Sequence, residues 1–194
     1  MKNILLSFLF VLVVGVVLSA CTSAVQENFD TNEDELAIFQ STEHTCIFTD
    51  AELKNTEYQS EWIDSGIVKL TNGEYREQAA LGSASEIVIM LTDHAACGKL
   101  EGQDAIAVIL VSSGGGSGSF YDLAVLVKTE GRSENVAIQS LGDRVMVNSL
   151  VIENDEIVLD MLTHGPDDPM CCPTQPVVKI YKLQDNEILE KNEL

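Results

Sequence analysis

The residues best equipped for chemistry stand together late in the chain, in Thr163-His164-Gly165-Pro166-Asp167-Asp168-Pro169-Met170-Cys171-Cys172-Pro173-Thr174. An imidazole, a thioether and two thiols are donors that Cu(I) selects and Zn(II) accepts in part. Their order argues against a closed metal cage. Adjacent cysteines cannot easily place both sulfurs on one tetrahedral ion, and the Cys-x-x-Cys spacing of zinc sites is missing. In an oxidising compartment the same thiols read more naturally as part of a disulfide framework. His164, Met170, Cys171 and Cys172 are therefore kept as candidate soft ligands, with disulfide chemistry preferred and no metal or other cofactor expected.

The second unusual stretch is Ser112-Ser113-Gly114-Gly115-Gly116-Ser117-Gly118-Ser119. Glycine backbones can cradle phosphate, yet neither the terminal Gly-Lys-Ser/Thr of a P-loop nor the helix after a dinucleotide fingerprint is present. Nor does the run spell the Gly-x-Ser-x-Gly of a nucleophile elbow. Between two apolar runs it reads as a flexible hairpin loop, with Ser112, Gly114, Gly116, Ser117 and Gly118 as candidate ligand contacts. His44, His94 and His164 offer two local acid–imidazole groupings, Asp93-His94 and His164 with Asp167-Asp168. Both read as turn-forming polar residues. No catalytic residue is assigned and no enzyme is expected.

The elements that must position these stretches follow from composition and pattern. The chain has 194 residues, 45% of them hydrophobic, with 31 acidic side chains against 11 basic ones and a formal charge of −20. That length and apolar fraction fit one folded domain. The charge would repel a phosphate backbone, so nucleic acid is not an expected partner.

Lys2, an apolar run from Ile4 to Leu18 and the small pair Ser19-Ala20 form a secretory signal peptide over 1–20. The run is shorter than the roughly 18–20 apolar residues a spanning helix needs. Leu18-Ser19-Ala20-Cys21 resembles the lipobox of bacterial lipoproteins, in which the cysteine thiol receives a lipid and cleavage follows just before it. That resemblance implies acylation at Cys21, and two or three acyl chains anchor a protein stably. The expected place is the extracytoplasmic face of a bacterial membrane, reached through the lipid alone. Residues 21–44, acidic at Glu27, Asp30, Glu33, Asp34 and Glu35, read as a solvated tether.

With Cys21 acylated, Cys46, Cys97, Cys171 and Cys172 remain, an even number that allows three pairings. Cys46–Cys97 with a vicinal Cys171–Cys172 bridge is favoured. Crossed pairings stay open, since they close longer loops and restrict the unfolded chain more.

From 45 to 194 the sequence predicts a mainly β fold: a single antiparallel sheet domain (meander, sandwich or open barrel) with at most one or two short helices. Thr49-Asp50 can cap one such helix. Asn72-Gly73 between Ile67–Leu70 and Glu74–Glu77 signals a type I′ hairpin. Further strands are expected at 86–91, 104–111, 120–128, 135–140, 145–152, 157–162 and 177–183, with turns at 130–132 and 154–155. The 104–111 run is apolar on both alternating sets, as in a strand covered on both faces. The polar tail 184–194 is expected to fray or to close as a short helix.

Leu53-Lys54-Asn55, Asn72-Gly73-Glu74-Tyr75, Gly82-Ser83-Ala84-Ser85, Gly116-Ser117-Gly118-Ser119-Phe120-Tyr121, Leu141-Gly142-Asp143-Arg144 and the stretch His164 to Thr174 together resemble a family of bacterial lipoprotein domains with no assigned activity. Asp168-Pro169-Met170-Cys171-Cys172-Pro173 is also similar to LppP/LprE-type lipoproteins. The resemblance spans about residues 53–183 and implies lipoprotein placement and one domain. Relatives of this kind carry an Asp-rich turn before the strand at 104–111 that resembles a calcium loop. Here the stretch is Gly98-Lys99-Leu100-Glu101-Gly102-Gln103-Asp104, and Glu101 with Asp104 falls short of the six or more oxygens calcium needs. The function these features imply is a non-enzymatic binding or structural module of the cell envelope, contacting a protein or small envelope component through 112–119 and 163–174. The alternative is thiol-redox or copper handling at Cys171-Cys172.

Overall fold

The computed structural model describes residues 45–191. The signal peptide, Cys21, the tether with His44, and residues 192–194 lie outside the described residues. One helix, α1 (Asp50–Leu53), opens the fold. Thr49 accepts from the backbone of Glu52, and Glu52 accepts in return from that of Thr49, a complete capping box. A two-stranded hairpin follows, β1 (Glu57–Gln59) with β2 (Ile67–Lys69). The rest is antiparallel meander in two sheets. The first holds β3 (Glu74–Gln78), β4 (Glu86–Leu100), β5 (Gln103–Ser113), β6 (Phe120–Thr129) and β7 (Arg132–Asp143) in that order. The second holds β8 (Met146–Glu153), β9 (Glu156–Thr163), β10 (Gln175–Gln184) and β11 (Glu187–Glu190). The fold is mainly β and antiparallel, as expected. Among the described residues no helix is long and apolar enough to cross a membrane.

The strand period of two decides which side chains go where. Along β5, Ala105, Ala107 and Ile109 face the second sheet and pack with Leu123, Val125, Leu159, Met161 and Tyr181. The alternate set, Ile106, Val108 and Leu110, packs with Phe48, Leu53, Tyr58, Val68 and Leu70 of the N-terminal layer. The five-stranded sheet is thus the middle of three layers, and β5 is covered on both faces. Tyr58 is fully buried and its hydroxyl donates to the Leu53 carbonyl at 2.9 Å, so its polar tip is satisfied. Cys46 and Cys97 tie this layer to β4, their Cα atoms 5.5 Å apart and their sulfurs in bonding position.

The turns sort the sandwich into two unlike ends. Glu101-Gly102, Glu130-Gly131, Asn154-Asp155 and Asp185-Asn186 each join two strands with both residues at positive φ, the signature of a type I′ turn. In a meander these four must fall at one end, so every longer connection falls at the other. That other end receives residues 114–119, 144–145 and 164–174.

Three expectations are corrected. Asn72 and Gly73 do make the tight turn, with Thr71 and Glu74 bonded across it. The strands beyond it part, however: β2 pairs with β1 and β3 with β4, because Leu70 turns back to bond Thr56. The strand at 86–91 runs on to Leu100 across an irregularity between Leu91 and Ala95. The tail neither frays at Gln184 nor turns helical within the described residues: the Asp185-Asn186 turn returns it as β11, which buries Ile188 against the core.

Candidate functional site

The irregularity in β4 is the first component of the site. Between Leu91, opposite Leu110, and Ala95, opposite Val108, three residues of β4 face Ile109 alone. Thr92, Asp93 and His94 therefore leave the ladder as a bulge, a device that re-aims side chains. The Thr92 hydroxyl donates to the Ile109 carbonyl at 2.9 Å and accepts from the His94 amide at 3.3 Å, which fixes the bulge's shape.

The second component is the junction between the sheets. Arg144 sits at φ +49° in the short connection from β7 to β8. Its amide donates to the Ser119 carbonyl at 2.6 Å, while its guanidinium donates to the Ser117 carbonyl at 2.6 and 3.2 Å and to Asp143 at 2.8 Å. The other oxygen of Asp143 accepts from the Ser119 amide at 3.0 Å. Asp143 and Arg144 thereby clamp the end of the glycine loop. The loop's start packs on the N-terminal layer: a Cβ on Gly114 would meet the Trp62 ring, and one on Gly115, at φ +79°, would strike Ser85.

The third component is the loop from β9 to β10. Asp168 organises it, accepting from the Gly165 amide at 2.8 Å, the Thr174 amide at 2.7 Å and the Thr174 hydroxyl at 2.6 Å. The Thr174 hydroxyl and these amides hold its carboxyl below the usual carboxylate range. One side chain thus joins the two ends of the loop, and Pro173 is buried beneath it. Cys171 and Cys172 are exposed and bonded to each other, with Cα atoms 3.8 Å apart.

These components enclose an open cleft of about 580 Å³, lined by Thr92, Asp93 and His94 of the bulge, Ser119 at the end of the glycine loop, Tyr121 of β6, Arg144 to Val147, Cys171 and Pro173. Arg144 brings little net charge, since Asp143 answers it, so Asp93 and His94 set the electrostatics. Beside the cleft, sharing Arg144 and Val145, lies a second cavity of about 390 Å³ lined also by Leu141, Thr163, His164 and Met170. The Nε2 atom of His164 is buried and has no hydrogen-bond partner among the described residues. Such an orphan costs about 1–3 kcal/mol.

The candidates named from sequence are distributed unevenly. Cys171 reaches the cleft; His164 and Met170 share the neighbouring cavity. Among the described residues no group of three or more His, Cys, Asp or Glu side chains is placed to hold a metal. Ser112 is not on the loop: it is the penultimate residue of β5, 1% exposed, with its hydroxyl unpartnered among the described residues. Gly114, Gly116, Ser117 and Gly118 are on the loop, yet Ser119 is the residue of that segment that lines the cleft. The cleft also brings Asp93, His94 and Ser119 together, the residue types of a hydrolase, but no hydrogen bond links the His94 imidazole to either partner among the described residues. A triad needs both links. Tyr121 and Arg144 were missed, because neither stands in a stretch of unusual composition. The Leu141-Gly142-Asp143-Arg144 segment was the available signal.

No family model matches the chain, and no curated protein or solved structure matches it.

Proposed function

We propose that the protein is a lipid-anchored module of a bacterial envelope that binds an envelope component at the cleft beside Asp93, His94 and Tyr121. One observation carries the reading: a meander whose other turns are minimal collects all its long connections at one end, around an open cavity. Chain length beyond what pairing requires is where binding surfaces are usually built. The signal peptide and lipobox-like Leu18-Ser19-Ala20-Cys21 support the anchor. A long acidic tether would then hold the domain off an anionic membrane.

Two measurements test the two halves. Metabolic labelling with an alkyne-bearing palmitate should mark the wild type and not Cys21→Ser, and the variant should leave the membrane fraction. A variant that still sediments with membranes overturns the anchor. A photoreactive residue at Tyr121 or Met146 should give a discrete crosslink in cells, whereas one at Glu101 or Glu130, at the opposite end, should not. Equal crosslinking from both ends overturns the cleft.

Thiol exchange is the second reading, favoured by the exposure of both Cys171 and Cys172, the first of them lining the cleft. A Cys172→Ser variant would then accumulate mixed disulfides through Cys171. Its absence from non-reducing gels of whole cells removes that reading.

A further inference from the structure

The cavity beside the cleft holds a combination of donors that the cysteines do not complete. His164 and Met170 both line it, with Leu141 and Val145 making its wall apolar. The Nε2 of His164 is buried and unpartnered among the described residues. Met170 follows in the same loop, 68% exposed, on an unbranched side chain whose three rotatable bonds let the sulfur swing inward or out. Asp168 between them is spent on Gly165 and Thr174, which fixes the loop's base.

We propose that His164 Nε2 and Met170 Sδ form a two-donor site for a soft monovalent cation, Cu(I) or its redox-inert analogue Ag(I). The donor chemistry selects the ion. Thioethers prefer soft metals, imidazole serves copper well, and hard cations find no oxygen cage here. Zinc asks for four ligands, which the described residues do not gather. A d¹⁰ monovalent ion accepts two. Each donor gives one lone pair and no electron is transferred, so the step needs no oxidant or reductant. If Nε2 carries the ring proton, it moves to Nδ1 as the metal enters. Arg144 lines the same cavity, but its charge is met by Asp143 at 2.8 Å, so it does not repel the ion. The disulfide state of Cys171-Cys172 removes both thiolates from competition. The site lies beside the cleft, and its assignment does not rest on what the cleft binds.

The full chain is purified in detergent, any free thiol is alkylated, and the two disulfides are verified by mass. Methyl and imidazole NMR signals are then followed during titration with Ag(I) in chloride-free buffer. Binding of one Ag(I) per chain is expected, shifting the Met170 methyl and His164 ring signals while those of Met90 and Met146 stay. Met170→Leu, at an exposed position that leaves the core intact, should weaken binding at least tenfold, and His164→Gln should abolish it. Met90→Leu, at an exposed position on β4 that lines neither cavity, should bind like the wild type. No Ag(I) uptake at stoichiometric concentration overturns the site, as does uptake undiminished in Met170→Leu. So does uptake lost only when Cys171 and Cys172 are replaced by serine.

Discussion

The guanidinium of Arg144 grips the carbonyl oxygen of Ser117 through two of its nitrogens, at 2.6 and 3.2 Å. The contact joins the junction between the sheets to the glycine loop, so one residue sets the height of the cleft wall. Arg144 thereby does for residues 114–119 what their own sequence cannot, since glycine loses the most freedom on ordering.

Replacing Arg144 by Lys should show this, because an ammonium cannot reproduce a planar fork. Amide exchange at 117–119 should accelerate in Arg144→Lys and further in Arg144→Ala. Global stability should fall by about 1–3 kcal/mol in the alanine variant, which leaves one carboxylate oxygen of Asp143 without its charged partner. Unchanged exchange in both variants would show that the loop orders itself.

Asp122 should make stability fall with rising pH. Burial pushes its carboxyl up from 3.8 to about 6, with a Ser140 hydrogen bond opposing and the Glu61 carboxylate adding. The folded state therefore holds this proton more tightly than the unfolded chain. Its contribution is full below about pH 4 and is lost as pH rises through about 6. The shift corresponds to about 3 kcal/mol, which partial exposure reduces to about 1–2 kcal/mol. Asp122→Asn should be more stable than the wild type at pH 7 by that amount, and the difference should vanish near pH 4. Denaturation midpoints across pH 4–8 check both points.

Much of this fold was legible from strand periodicity. The doubly apolar run at 104–111 could be buried only in a middle layer, and β5 is there. An even count of four cysteines allowed three pairings, and the favoured one, Cys46–Cys97 with vicinal Cys171–Cys172, has both pairs in bonding position. What was not legible depends on register. The bulge at Thr92–His94 is defined by the single residue opposite it, Ile109, and no local pattern announces that. Asn72-Gly73 specified a turn correctly but not the partners of the strands beside it. The cleft was half visible: its loops stood out by composition, whereas Tyr121 and Arg144 became site residues only once the sheets were in place.

The type I′ turns make a separate prediction. Glu101 at φ +50° and Glu130 at φ +52° occupy positions that suit Asn better. The left-handed region costs an ordinary side chain about 1–2 kcal/mol, and Asn is the preferred first residue before Gly. Glu101→Asn and Glu130→Asn should each stabilise by about 0.5–1 kcal/mol. Each should raise the midpoint of thermal unfolding by a few degrees.

Ser112 offers a test of the opposite kind. Its hydroxyl is buried with no partner among the described residues, so Ser112→Ala removes a desolvated polar group without opening space. Stability should be unchanged or higher by up to about 1 kcal/mol. A clear loss on chemical denaturation would mean that the hydroxyl is bonded, and that this end of β5 is wetter than its burial implies.

Gly98 on β4 should tolerate no side chain at all. Its backbone approaches Ile152 of β8 so closely that an added Cβ would meet the Ile152 side chain well inside contact distance, and its carbonyl oxygen at 3.2 Å. This is where the edges of the two sheets come together, and the backbone oxygen cannot move aside as a flexible side chain would. Gly98→Ala should therefore part β4 from β8 and cost about 2–3 kcal/mol, at the upper end of overpacking penalties. Gly102→Ala, four residues along in the turn after β4, is a control in open space, where only the positive φ of +74° opposes the change. It should cost about 1 kcal/mol. Urea midpoints of the two variants separate the effects, and equal losses would mean that the sheets are free to slide at this edge.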